Sequence, residues 1–344
     1  GEKLESLTLD VFGFSRGAAA ARHSVNELVK GGGGRLGQMF NRFRIPWPDR
    51  VIIRFVGLFD TVAGIVNFGQ FDFSAGNEAN DPVNVYLDPS RVEQVVHFVA
   101  GDEKRANFAL NSIKPSDGDA PPNVREIVLP GAHSDIGGGY HQLQEEKLLL
   151  HPILTIRDSY TDWPDKSWQW EQLESLRRQI ADEQWIGDYS VELKSGKSPA
   201  LWIDQRRDVH PPPYGRVDLS LKMHRLVHGE YSGVIRELMH RLASQSGVPL
   251  RPLEGPDKIE HPDDLEAIRD RLLDQILEGV NEPSLRPEDM RLVRQRYIHH
   301  SDHYNLLQFL AFGLVTKLEV PFRLIQPFKT AEGRERKIYW NNQD

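Results

Sequence analysis

The chain has 344 residues, 39% of them hydrophobic and 27% charged, with a net charge of −8. That composition fits a globular protein with a large core, and it argues against disordered or fibrous chains and against a nucleic-acid partner. No apolar run approaches the roughly 20 residues of a membrane helix, and the absence of cysteine excludes disulfides, thiolate metal sites and a cysteine nucleophile.

Taken in chain order, Gly1–Ser6 lacks the basic and apolar regions of a signal peptide. Leu7 to Phe12 (LTLDVF) predicts a short strand running into Gly13-Phe14-Ser15-Arg16-Gly17. Ala18 to Val29 is an alanine-rich helical pattern, stopped by Gly31 to Gly34. Val51 to Phe59 (VIIRFVGLF) is almost continuously apolar, as in a parallel strand buried on both faces, and it ends at Asp60. Phe68 to Asp81 predicts a loop, Pro89 to Leu110 a helix containing His97, and Val124 to Leu129 a third strand. Pro130-Gly131-Ala132-His133-Ser134-Asp135-Ile136-Gly137-Gly138-Gly139-Tyr140 follows that strand.

Beyond Tyr140 the texture changes. Five of the seven tryptophans (Trp163, Trp168, Trp170, Trp185 and Trp202) lie before a Pro211-Pro212-Pro213 spacer. Helical patterns cover Leu219 to Leu242, Pro262 to Val280 and the stretch around Tyr297 to Phe312, and Val315 to Ile325 predicts a further strand. The expected division is a catalytic core over 1–140, a tryptophan-rich insertion or lid over 141–215, and a mainly helical remainder over 216–344 packing on the core.

The strongest chemical signal is G-x-S-x-G between a strand and a helix. A serine hydroxyl is a weak nucleophile that needs exposure, an adjacent base and an oxyanion hole. A sharp strand-to-helix turn supplies the exposure, with Gly13 and Gly17 both expected to leave it room. The backbone N–H of Arg16 then faces the developing oxyanion. Open α/β sheets gather functional residues beyond the carboxyl ends of their strands. Three successive predicted strands end at Ser15, Asp60 and His133, in the order serine, acid, base. This makes Ser15 the nucleophile, His133 the proton shuttle and Asp60 its orienting acid.

Other readings of these residues stay open. Ser15 can be a helix N-cap, Asp60 a cap or turn residue, and His133 a turn residue. Asp135 is the rival acid, although its position suits holding the Ser134–Gly139 turn. The cluster His299-His300-Ser301-Asp302-His303 offers His300 and His303 as rival bases, and as a metal site it lacks a carboxylate at helical spacing. Gly31–Gly34 has no phosphate-loop Lys-Ser/Thr and ends a helix instead of starting one; Gly137–Gly139 lacks dinucleotide spacing. The tryptophans read first as packing, and second as a mobile apolar lid.

Four pieces in this order resemble the α/β-hydrolase domain of the type VI secretion phospholipase effectors (Tle type). They are Gly13-Phe14-Ser15-Arg16-Gly17-Ala18, Phe59-Asp60-Thr61-Val62, His97 with Asp102-Glu103-Lys104-Arg105-Ala106-Asn107-Phe108, and Pro130 to Tyr140. The resemblance covers roughly residues 7 to 140. It implies a mostly parallel sheet with helices on both faces and a largely helical lid or insertion. It also implies a lipase made in the cytoplasm and secreted by the type VI system, hydrolysing phospholipids in the target-cell periplasm. The implied partners are membrane phospholipid, an immunity protein, and a secretion spike or chaperone. No cofactor is implied, and calcium dependence is left open. The family triad maps onto Ser15, Asp60 and His133; His97 and the Asp102–Phe108 run map onto a family helix with packing and ion-pair roles. Only fourteen residues precede Ser15, so the early strands and the second oxyanion donor are expected outside this chain. The competing functions are an esterase or peptidase of soluble substrates and a non-catalytic hydrolase-like binding module.

Overall fold

The computed structural model describes residues 4–63, 83–157, 159–208, 215–255, 258–305 and 328–342. In chain order the elements are β1 (Ser6–Phe14), α1 (Arg16–Val29), α2 (Arg35–Arg42), β2 (Arg50–Phe59), β3 (Gln94–Ala100), β4 (Leu110–Asn111), β5 (Val124–Leu129) and α3 (His133–Gly137). They continue as β6 (Leu143–Leu149), β7 (Leu154–Ile156), α4 (Trp168–Asp182), β8 (Ala200–Asp208), β9 (Arg216–His228), α5 (Tyr231–Gln245), α6 (Asp263–Leu277), α7 (Pro287–Arg296) and β10 (Ile338–Tyr339). The expected loop over 68–81, the Pro211–Pro213 spacer and the strand over 315–325 lie outside the described residues, as does most of the helix expected beyond Tyr304. Among the described residues no helix is long and apolar enough to cross a membrane.

The chain forms two units: residues 1–139, 230–285 and 331–344, and residues 140–229 and 286–330. The first holds a wholly parallel sheet of order β1-β2-β3-β5. Its strands are apolar because they are covered: Phe55, Val56, Leu58, Val95, Val96 and Phe98 are all buried. Helix α1 turns Ala18, Ala21 and Val25 onto Val56, Leu58 and Val95, with Leu87, Ile113 and Val124 closing the cluster. Small alanines let the helix backbone come close to the sheet. Helix α5 contacts β2, α3 and α6. Strand β10 pairs in parallel with β4, which brings the chain's last residues back into this unit.

The second unit contains an antiparallel sheet in which β9 pairs with β6, β7 and β8. The insertion is therefore not largely helical, and 216–344 is not one helical block. Two expected helices are strands. The 219–242 pattern divides into β9 and α5, and 94–100 is strand β3 at the middle of the parallel sheet. Residues 230–285 and 331–344 belong to the first unit, so the boundary expected at 216 falls instead between 229 and 230. Arg225 on β9 is fully buried. Its Nε donates to Glu146 at 2.7 Å, and its remaining donors reach the carbonyls of Trp185, Arg294 and Ile298. A buried charge is tolerated there because it is paired and its donors are used.

Candidate active site

Parallel strands place all their carboxyl ends on one edge. Phe14 is in register with Phe59, and Phe59 with Phe98, so the residues that follow β1 and β2 are neighbours. Ser15 takes φ 57° and ψ −123°, and Asp60 takes φ 41°. Such values are uncommon outside glycine and mark sharp turns held by their surroundings. A Cβ on Gly13 would overlap the carbonyl of Gly17, so the chain can turn into α1 only with glycine there. Gly17 differs from expectation: a Cβ on it would meet open space, because it supplies the crowding wall and does not suffer from it. Arg16 is the first residue of α1.

His133 opens the short helix α3 rather than lying in a turn. Its Nε2 is 2.8 Å from Ser15 Oγ, and its Nδ1–H donates to Asp60 Oδ2 at 2.5 Å. The expected nucleophile, base and acid are thus brought together in one hydrogen-bonded chain, at the ends of the first, second and fourth strands of the sheet. Asp60 is fully buried and His133 nearly so. The rings of Phe14 and Phe108 lie 4.6 and 5.0 Å from the imidazole. A Cβ on Gly137 would strike the Phe14 ring, so that glycine makes room for an aromatic wall of the site.

Three groups that sequence reasoning did not assign to the site support it. The most direct is Arg336, whose guanidinium grips Asp60 in two parallel bonds, 2.7 Å to Oδ1 and 2.8 Å to Oδ2. Burial alone would raise the Asp60 pKa, but Arg336 and then His133 outweigh it and hold the carboxyl well below the usual range. Glu103 is the second. Its Oε2 accepts from the His133 backbone N–H at 3.2 Å, and Arg105 pairs with both of its oxygens. Burial raises its pKa and Arg105 lowers it, with a net lowering. The third is Ala100, whose backbone N–H donates to Asp60 Oδ1 at 3.0 Å.

His97 has the packing and ion-pair setting expected of it, but on a strand. Its Nδ1 lies 3.0 Å from Glu126, and its Nε2 accepts from the N–H of Thr61, the residue after Asp60. Burial opposes ionisation of Glu126, yet bonds from His97, Ile113 and Ser112 hold its pKa down to about 2. Asp135 Oδ2 accepts from the Ala132 backbone N–H at 2.9 Å, a bond that caps the N-terminus of α3 in place of the Ser134–Gly139 turn expected for it. His300 and His303 belong to the other unit. There the His300 backbone N–H donates to Glu146, Trp185 packs edge-on to its ring, and His303 Nδ1 accepts from Asn305. Trp185 is buried, whereas Trp163 and Trp168 are exposed. No group of three or more His, Asp or Glu among the described residues could hold a metal ion.

Residues 34–157 match the family described as T6SS, Phospholipase effector Tle1-like, catalytic domain. This bears out the resemblance read from the four motifs, with the range moved from 7–140. The match contains Asp60 and His133 and begins after Ser15. Among solved structures, one described as the Tle1 effector bound to the VgrG spike from the type 6 secretion system superposes with a TM-score of 0.73 at 23% identity. That likeness covers 97% of this chain and 67% of the other, and at this identity it speaks to the fold. An uncharacterized protein from Pseudomonas aeruginosa is 32% identical over 39% of this chain and 20% of its own, with a TM-score of 0.26. No curated protein matches the chain.

Proposed function

We propose that the protein is a serine hydrolase of α/β-hydrolase type that cleaves acyl esters of membrane phospholipids. The observation that carries this reading is the Ser15–His133–Asp60 chain of hydrogen bonds at the carboxyl edge of a parallel sheet. The match to a phospholipase effector catalytic domain supplies the substrate class.

Ser15 Oγ attacks the ester carbonyl while its proton passes to His133 Nε2. The Asp60 carboxylate fixes the tautomer of the neutral imidazole and stabilises the imidazolium that forms. The Arg16 backbone N–H, at the start of α1, is one donor to the oxyanion. Collapse of the tetrahedral intermediate expels the lysolipid alcohol, which takes the proton back from His133 and leaves an acyl-Ser15 ester. Water, deprotonated by the same imidazole, releases the fatty acid and restores the serine. In biological terms the reading is an antibacterial effector, delivered by the type VI system and acting in the target-cell periplasm. A spike partner is supported by analogy with the solved effector bound to VgrG, and an immunity protein would protect the producer.

Ser15→Ala in the full chain is expected to abolish both hydrolysis of phosphatidylethanolamine/phosphatidylglycerol vesicles and labelling by a fluorophosphonate probe. Hydrolysis retained by folded Ser15→Ala would overturn the serine assignment. Labelling of the unsubstituted protein without lipid products would move the substrate to a soluble ester.

A further inference from the structure

Asp60 receives four donors: Ala100 N–H and one Arg336 nitrogen at Oδ1, and His133 Nδ1–H and the other Arg336 nitrogen at Oδ2. A carboxylate has about four lone-pair sites, so its acceptor capacity is filled and the group has no free rotation. Arg336 is itself fixed, since its Nε donates to the carbonyl of Phe108 and its side chain is only 8% exposed. The segment that carries it is stitched to the sheet unit along its length. Ala331 N–H donates to Lys104, Leu110 N–H to Lys337, and Ser112 N–H to Tyr339. Farther on, Asn341 accepts from the buried Arg22 of α1 and bonds the Leu87 backbone in both directions.

A planar guanidinium fork matches a carboxylate in a way a lysine ammonium cannot. An aspartate that only orients a histidine needs one oxygen for it. Here the fork fixes the plane of the carboxylate, which determines where Oδ2 points and therefore which way the imidazole faces Ser15. We propose that Arg336 is a positioning residue for the reaction: it acts through Asp60, and the 331–342 segment is the strap that delivers it. This rests on the Ser15–His133–Asp60 reading. The charged or titratable groups around Asp60 are Arg336, His133, Glu103 and Arg105. Removing Arg336 deletes the cation on the far side of Asp60, so the Asp60–His133 pair holds a proton more strongly.

The test uses the full chain with a short-chain p-nitrophenyl ester. Arg336→Ala is expected to lower kcat by about tenfold or more, short of the roughly 10⁴-fold that loss of a triad acid costs. KM is expected to stay within about twofold, since Arg336 acts on the acid and not on the substrate. The acid limb of the kcat/KM profile is expected to move to higher pH, and millimolar guanidinium is expected to restore part of kcat. Arg336→Lys is expected to fall between Arg336→Gln and the unsubstituted protein, and these two milder variants decide the matter if the alanine variant does not fold. Folded Arg336→Gln with unchanged kcat and pH profile would overturn the proposal, as would a loss that guanidinium does not rescue and that only follows melting temperature. If Ser15→Ala keeps its activity, the triad reading fails first. If Ser15→Ala is dead and the Arg336 variants are normal, only this inference fails.

Discussion

The backbone N–H of Ser15 donates to the carbonyl of Phe59, 2.9 Å away. The residue before Asp60 is thereby pinned to Ser15, and two strained turns share one anchor. Ser15 and Asp60 both hold positive φ, a conformation that costs on the order of 1–3 kcal/mol each and persists only when neighbours impose it.

The two glycines of the elbow are expected to respond differently. Gly13→Ala puts a methyl group into the Gly17 carbonyl, where backbone on both sides has no easy way to yield. We expect about 1–3 kcal/mol of destabilisation and a large loss of activity. Gly17→Ala meets open space and sits in the first turn of α1, where alanine is the better helix former. It is expected to keep its melting temperature and most of its activity. Thermal melts with ester hydrolysis check both, and a Gly13→Ala variant of unchanged stability and activity would contradict the geometry.

The two candidate acids separate by mutation. Asp60→Asn keeps the shape but loses the charge that fixes the imidazole tautomer, so kcat is expected to fall by about 10⁴. Asp135→Asn retains an acceptor for the Ala132 N–H, and a capping bond of this kind is worth about 1 kcal/mol; activity is expected to stay within about tenfold of the unsubstituted protein. The reverse ranking, measured on folded proteins, would assign the acid to Asp135.

The candidate bases separate in the same way. His133→Ala is expected to lose ester hydrolysis and fluorophosphonate labelling together, because the residual serine has no base. His303→Ala, which removes an acceptor of the Asn305 N–H, is expected to keep both. Labelling that survives in His133→Ala but vanishes in folded His303→Ala would reassign the base.

Much of the site was legible because it follows strand ends. Strands β1, β2 and β5 announce themselves by β-forming or continuous apolar residues, and Ser15, Asp60 and His133 come directly or closely after them. Strand β3 was missed because QVVHFVA is buried almost throughout, and a uniformly apolar run has no period to tell strand from helix. Strand β9 did have a period: Val217, Leu219, Leu221, Met223, Arg225 and Val227 alternate and all are buried. The arginine in that series and the apolar helix after it hid the alternation. Arg336 was not legible at all. It lies 276 residues from Asp60 in sequence, within a polar Gly-Arg-Glu-Arg-Lys stretch that has the composition of a solvated loop. The pairing of β10 with β4 and the bonds of Ala331 and Asn341 on either side of it bring it in.

The buried His97–Glu126 pair predicts how the parallel sheet responds to acid. Glu126 has a folded pKa of about 2, against about 4.3 for a free glutamate. Its pKa is depressed by folding, so its contribution is full above about pH 4.3 and is lost as pH falls towards 2. A shift of this size corresponds to about 3 kcal/mol. Asp60 and Glu103 are also depressed, so the unsubstituted protein loses stability from several carboxylates at once. Glu126→Gln isolates one of them. The substitution leaves His97 Nδ1–H facing a neutral amide in place of a carboxylate and is expected to cost about 3 kcal/mol near pH 7, the amount to which the depressed Glu126 pKa corresponds. Below about pH 4.3 the difference is expected to shrink progressively, because the unfolded chain takes up a proton on Glu126 before the folded protein does. Denaturant melts of both proteins at pH 7, 5, 4 and 3 check this, and a gap that stays constant with pH would show that folding does not depress the Glu126 pKa. Because Thr61 N–H bonds to His97 next to Asp60, the same variant is also expected to lower ester hydrolysis at pH 7 while leaving Ser15 in place.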